Sequence, residues 1–506
     1  MAVKWNELNQ KVVDYMQEGQ FQEAMEPALK AVDVAEKEHG KNHPSLAVSL
    51  NNLGELHHLT GNYKEAEKLF LQSLEISESV HGEVSTEVAD TLVNLTELYM
   101  SEKRFPDAES SLKRVVVICK KNAPDDDRIL PPVLDTLATI YLGLGKPDQA
   151  RKQLKEALVL IEKKRGSDDP DLCPFLKSLS VIDRQEGKIE EAEQLLRRAL
   201  VIYENTLGPD HPDFAGILSH LAEIYLAQSL LPAAEPLLKQ AIEIFKGSLP
   251  PDHPEIGAAL DRLAALYGAT GKMDKAEALL KEAMEIFTSS LGEEHPALAE
   301  VQNSLAEIWI NSERANEALP LLEKSLATRE KNLGDKHPAV GQSLNNLGVV
   351  HNTRGEKTLA LKQHKRALEV RQAAFGEDHP ATTQSLENMA AIYREQGKPA
   401  EAEKMLSRSL AIWEKAEGAA HPATAQSYHN LATLHVESGK YNKAEEALLM
   451  ARKILEKNPG SNTMHLATVF ETLSVLYHKM DKMEESREYA ARVHKIRKPE
   501  HMQRPQ

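Results

Sequence analysis

Twenty histidines, two cysteines and a recurring set of asparagines are the residues of this 506-residue chain whose types could do chemistry. Seven histidines stand in the dipeptide His-Pro, at His43, His211, His253, His295, His337, His379 and His421. The last six are 42 residues apart, and His43 lies four such intervals before His211. A group that returns with every turn of a repeating fold is structural rather than catalytic. His57 and His58 are adjacent, so a helix sends them to different sides instead of toward one metal. The chain holds no HExxH, no pair of CxxC motifs, no GxxxxGK[ST], no GxSxG and no kinase signature. Gly143-Leu144-Gly145 imitates the start of a dinucleotide loop but lacks the third glycine and a preceding strand. Cys119 and Cys173 cannot frame a disulfide scaffold; they read as small buried hydrophobes in a reducing compartment. These residues predict no catalytic site, no metal and no cofactor, and hence no enzyme.

The asparagines point elsewhere. In a 42-residue frame opened at residue 1, position ten holds Asn52, Asn94, Asn346, Asn388 and Asn430, with Thr136, Ser178, His220, Arg262 and Ser304 between the two groups. Position nine adds Asn51, Lys177, Asp261, Asn303 and Asn345. An amide both donates and accepts, so a row of them can pair with the backbone of an extended peptide whatever its side chains. The same amides can instead bond neighbouring helices and set their stacking. Two clusters, Asn52/Asn94 and Asn346/Asn388/Asn430, predict two peptide-competent stretches. Between them, Lys177, Arg184 and Arg262 mark the place for an acidic ligand side chain. The candidate binding residues are therefore Asn51, Asn52, Asn94, Asn303, Asn345, Asn346, Asn388, Asn430, Arg262 and Lys177.

The frame that aligns them divides the chain into twelve units, starting at residues 1, 43, 85, 127, 169, 211, 253, 295, 337, 379, 421 and 463, with two residues left over. Position 24 is Ala in eleven units, and Ser486 in the last. Position 11 is Leu in nearly all, position 12 is mostly small, and position 15 is commonly Tyr. Leu50, Leu53 and His57 are spaced by three and four, one stripe of an amphipathic helix. Gly follows at position 19 in eight units, where a turn needs positive φ, and a second periodic stretch such as Glu65 to Ile76 comes next. Gly near position 40 ends the second helix, and Pro at position two opens the next.

A helix-turn-helix unit with small residues in fixed columns resembles the tetratricopeptide repeat. The 42-residue length and the LGxxHP between units are similar to the repeats of kinesin light chains; Leu207 to Tyr225 and His337 to Gly355 carry the likeness well. The resemblance covers the whole chain. It implies an all-α fold, a right-handed superhelical solenoid of about 12 repeats and about 24 helices, forming a single array over 1–504. It also implies that ligand-facing side chains lie on the first helix of each unit, lining a concave groove. Kinesin light chains carry a heptad coiled coil before their repeats. Here the first unit begins at the first residue, so a free-standing array is expected rather than a motor subunit.

Irregular units and the ends refine this. Lys103 replaces the turn glycine of the third unit, and Pro106 stands near the start of its second helix. Pro131-Pro132 and Cys173-Pro174 fall beyond the usual proline position and should delay the first helix there. Lys11 replaces a core Leu in the first unit, and residues 493–506 form a basic tail, as terminal capping units require a polar outer face.

Composition agrees. With 41% hydrophobic and 27% charged residues the chain can fold, and with only 5% aromatic residues it favours helix over sheet. The longest apolar runs, such as Val115 to Ile118, are too short to span a bilayer, and MAVKWNELNQ lacks the apolar core of a signal peptide. A net charge of −16 disfavours a broad nucleic-acid surface. The expected protein is cytoplasmic, a monomer or weakly self-associating. Its expected function is that of a scaffold or adaptor holding peptide segments of partner proteins. The alternative is a peptide sensor whose superhelix changes pitch on binding.

Overall fold

Seven of the helix pairs begin at a histidine. The side chain of His43, His211, His253, His295, His337, His379 or His421 stands at the N-cap, and its Nδ1 accepts the backbone N–H two residues on at 3.1–3.3 Å. The following Pro occupies the first helical position, where no N–H is needed. The repeated His-Pro is thus a capping device, with the imidazole in the role usually taken by Ser or Asp. The pair closes at a glycine such as Gly82, Gly292 or Gly334, whose φ of 82–85° suits no other residue well.

The structure, a computed structural model, describes residues 4–124, 126–418, 420–457 and 463–497. Among these the chain forms twenty-four α-helices, two per repeat, with two short 3-10 turns and no strand. The helices divide into two compact units, residues 1–248 and 249–506, each containing six repeats of the frame. Within each unit a first helix, such as Pro44–Leu59, packs against its own second helix, Tyr63–His81, and against the first helices of adjacent repeats.

The core of every pair is set at position 24. All eleven alanines there, from Ala24 to Ala444, are fully buried. In the last repeat Ser486 takes the place, and its hydroxyl and that of Ser474 each donate to the other's carbonyl at 2.9 Å. Opposite, positions 12 and 28 trade volume. Where position 12 is Ala, position 28 is Leu, as in Ala138/Leu154 and Ala306/Leu322. Where it is Gly, a ring fills the gap: a methyl group at Gly54 would sit 2.8 Å from the Phe70 ring, and one at Gly348 would sit 2.5 Å from His364. Val12 faces Ala28 by the reverse exchange. Close-packed interiors tolerate substitution when summed volume is kept.

Neighbouring repeats are fastened on their second helices by ion pairs. The base at position 20 reaches the Glu at position 25 of the preceding repeat: Arg104–Glu67 at 2.9 Å, Lys146–Glu109 at 2.7 Å, Arg314–Glu277 at 2.7 Å and Lys440–Glu403 at 2.6 Å. The same base lies over the aromatic at position 15, as with Arg104 on Tyr99 and Lys146 on Tyr141. Tyr225 and Tyr477 also donate to that column of glutamates, at Glu193 and Glu445.

The irregular repeats shift their helix starts as the prolines predict. The first helix of the fourth repeat starts at Leu130 and that of the fifth at Cys173, the latter after a 3-10 turn over Pro170–Leu172. The tenth repeat makes the same 3-10 opening at Pro380–Thr382 without a later proline, so a displaced proline is not the only route to it. Pro106 is accommodated in the first turn of Phe105–Asn122. Lys11 is exposed and Val12 buried in its stead. At the other end the helix Met483–Arg497 takes in the first residues of the basic tail, and residues 498–506 lie outside the described residues.

Candidate functional site

The first helices carry the asparagines, and their spacing brings position ten of one repeat beside position nine of the repeat before. The register is 43 residues. Asn52 Nδ2 donates to Asn9 Oδ1 at 2.9 Å and Asn94 Nδ2 to Asn51 Oδ1 at 3.1 Å in the first unit. In the second unit Asn346 Nδ2 reaches Asn303 Oδ1 at 3.4 Å and Asn388 Nδ2 donates to Asn345 Oδ1 at 3.1 Å. His429 and Thr472 make the same rung with other side chains, at 2.9 Å. Asn345 Oδ1 also pairs with His364 Nδ1 at 3.0 Å, and burial pushes that imidazole down to about 4, so it is neutral.

Accessibility separates the candidates. Asn303 and Asn345 are each 1% exposed and Asn346 is 5% exposed, so their amides are spent on neighbouring repeats. Asn51, Asn52, Asn94, Asn388 and Asn430 remain half-buried. Asn430 accepts only from Gln426 of its own helix, at 2.9 Å. Two cavities gather these open amides. One, of about 230 Å³ in the first unit, is lined by Asn51, Asn52, Ser77, Glu87, Asp90 and Thr91 among others. The other, of about 390 Å³ in the second unit, is lined by Glu387, Asn388, Arg394, His429, Asn430 and Thr433 among others.

The cations chosen from the sequence sit beside the protein's own carboxylates. Lys177 is exposed, and its charge opposes the upward pull that burial exerts on Asp135. Arg184 lies 3.6 Å from Glu223. Arg262 plays the same part for Asp261, which burial and the Glu300 charge nonetheless push up to about 6. Lys177 and Arg184 belong to the first unit and Arg262 to the second, so they are not assigned to one surface.

The sequence reading passed over the acidic side of these helices. Burial raises the carboxyls of Glu55, Asp90 and Asp135 in the first unit and of Glu307 and Glu387 in the second. Their signal was a carboxylate at position six, nine or thirteen of the first helix, on a side that a neighbouring helix partly covers, although Asp90 and Glu307 keep exposed surface. Desolvation outweighs the charges and hydrogen bonds that favour the ionised form, among them Lys177 at Asp135 and Arg329 at Glu307. Among the described residues no three of His, Cys, Asp and Glu converge as a metal set, and no helix is long and apolar enough to cross a membrane.

A model of the tetratricopeptide repeat matches residues 6–79, 172–247, 255–309, 310–373, 355–412 and 381–457, more than half of the chain, and a second model of that repeat matches 133–171. The chain belongs to the tetratricopeptide repeat family. Solved structures similar to this tetratricopeptide repeat protein include BtubC (BKLC) from P. vanneervenii, 25% identical, covering 47% of this chain and 92% of that one, with a TM-score of 0.38. A putative kinesin light chain from Podosopora anserina with nearly identical TPR-like repeats is 27% identical over 41% of this chain and 99% of its own, with a TM-score of 0.36. The pilF of Pseudomonas aeruginosa is 19% identical over 48% of this chain and 91% of its own, with a TM-score of 0.34. No curated protein matches the chain. Arrays of tetratricopeptide repeats are scaffolds for protein–protein interaction, and this chain is built of little else.

Proposed function

We propose that this protein captures extended peptide segments of partner proteins along its first helices. The observation that carries the reading is the pair of cavities where the half-buried amides gather, Asn51 with Asn52 and Asn388 with Asn430. An amide that has one of its groups left over can still serve a peptide N–H or C=O. Asn303, Asn345 and Asn346 serve the reading indirectly, by holding adjacent first helices at a fixed distance. The repeat phase runs unbroken from residue 1 to 504, which supports treating the chain as one array. Two buried free cysteines, with Cys173 pushed up to about 12, suit a reducing compartment such as the cytoplasm. The charge of −16 speaks against a nucleic-acid partner.

A pull-down with mass spectrometry tests this on the full chain. Wild type is compared with the double variant Asn388→Ala/Asn430→Ala, with helix content followed by circular dichroism. Loss of specific partners at unchanged helicity supports the reading. Identical partner sets from both proteins would sink it.

A further inference from the structure

We propose that the cavity between the second and third repeats is a socket for the guanidinium of an arginine carried by a partner's peptide segment, an assignment that rests on the scaffold reading and adds a ligand side chain to it. Two of the protein's own later repeats place a guanidinium here, where others carry Phe245, Phe287 or Trp413. Position 35 of the second helix is Arg329 in the eighth repeat and Arg371 in the ninth, 3% and 8% exposed. Arg329 Nη1 donates to Ser343 Oγ at 2.8 Å and to the Ala339 carbonyl at 2.9 Å, with Gln342 Oε1 at 3.5 Å. Arg371 donates to Ser385 Oγ at 3.1 Å and to Gln384 Oε1 at 3.0 Å. In both repeats a guanidinium is therefore received by positions six and seven of the following first helix.

In the second repeat position 35 is Ser77, whose side chain ends where those arginines would extend. The space left is the cavity of about 230 Å³. Ser77 lines it and is 4% exposed. The receiving positions here are Asp90 and Thr91, so a carboxylate stands where Gln342 and Gln384 stand in the filled repeats. Glu87 adds a second carboxylate to the lining, and of the basic residue types only His81 joins it. Partial burial and the Glu87 charge hold the Asp90 carboxyl above its ordinary range. Val48, Glu87 and Asp90 are exposed at the mouth, which gives a ligand its way in. Two internal arginines bind this register with neutral partners; with Asp90 in place the match to a planar, charged fork is better.

The test uses the full chain and three capped amino acids, N-acetyl-arginine N-methylamide and its lysine and citrulline counterparts, titrated by ligand-observed NMR. The arginine probe should bind wild type at least about tenfold more tightly than the neutral citrulline isostere, and more tightly than the lysine probe. Ser77→Arg should plug the socket from within, as in the eighth and ninth repeats, and Asp90→Asn should remove its charge; each should weaken the arginine probe about tenfold or more. If Ser77→Arg fails to fold, Asp90→Asn decides alone. No binding to wild type, equal binding of citrulline or lysine, or wild-type affinity in both variants overturns the socket. Should the probe fail while the pull-down still loses partners in the Asn388→Ala/Asn430→Ala variant, the scaffold reading stands without the socket; the opposite pair of results removes the scaffold reading and keeps the socket.

Discussion

At position 19 the backbone asks for one conformation in every repeat. Eight repeats meet it with glycine; Lys103, Ser229, Glu313 and Asp481 meet it with φ of 57–60°. A side chain held in the left-handed region costs about 1 kcal/mol relative to glycine. Lys103→Gly, Ser229→Gly and Glu313→Gly should each raise stability by up to about 1 kcal/mol, read as a higher denaturant midpoint, while the same change at exposed Lys64 should lower it. The turn itself was legible from the eight glycines. That the four exceptions adopt the same backbone was not, because nothing local in Lys, Ser, Glu or Asp announces positive φ; the neighbouring helices, packed on buried Ala108, Ala234 and Ala318, impose it.

The helices depend on their first residue in a way that the dipeptide only half discloses. His-Pro was readable as structural from its recurrence, but the capping role of the ring needed the 3.2 Å contact of His337 with the Ala339 N–H. His337→Ala should cost about 1 kcal/mol, and His337→Asn should restore most of it, since an amide oxygen can accept the same N–H. Thermal melts of the two variants check the order. The asparagine rows were legible as rows, with both of their uses open. What decided between them for Asn303 and Asn345 was burial, which depends on the next repeat and so on residues some 43 positions away. The ion pairs of Arg104 with Glu67 and Lys146 with Glu109 were missed for the same reason. Each partner looks like an ordinary solvated charge within its own repeat.

For the molecule as a whole, acid sets two groups of the second unit against each other. Burial lowers His364 from 6.5 to about 4, so below pH 6.5 the unfolded chain takes a proton that the folded one refuses, and stability falls. Asp261 is raised from 3.8 to about 6, so the folded chain takes its proton first, and stability rises as the pH drops from about 6 toward 3.8. Replacing the pair by the commoner volumes, Gly348→Ala with His364→Leu, should remove the first effect, making the second unit more resistant to acid by up to about 2 kcal/mol at pH 5 relative to pH 7.5. Asp261→Asn should make it more sensitive. Denaturant midpoints at the two pH values read both, with the unfolding followed for more than one transition, since a repeat array need not unfold in one step.

The 43-residue rung has one more consequence. Because its oxygen comes from one repeat and its amide from the next, the bond belongs to the seam and not to either block. Excising residues 337–378 would bring Asn388 into register with Asn303, and the seam would heal with the same two atoms. Excising 295–336 would bring Asn346 against Asp261, an acceptor of a different charge. Lengthening or shortening such a chain by whole blocks is therefore not neutral everywhere: the identity of two adjacent side chains determines which joins are seamless, and so which rearrangements a gene encoding it can survive.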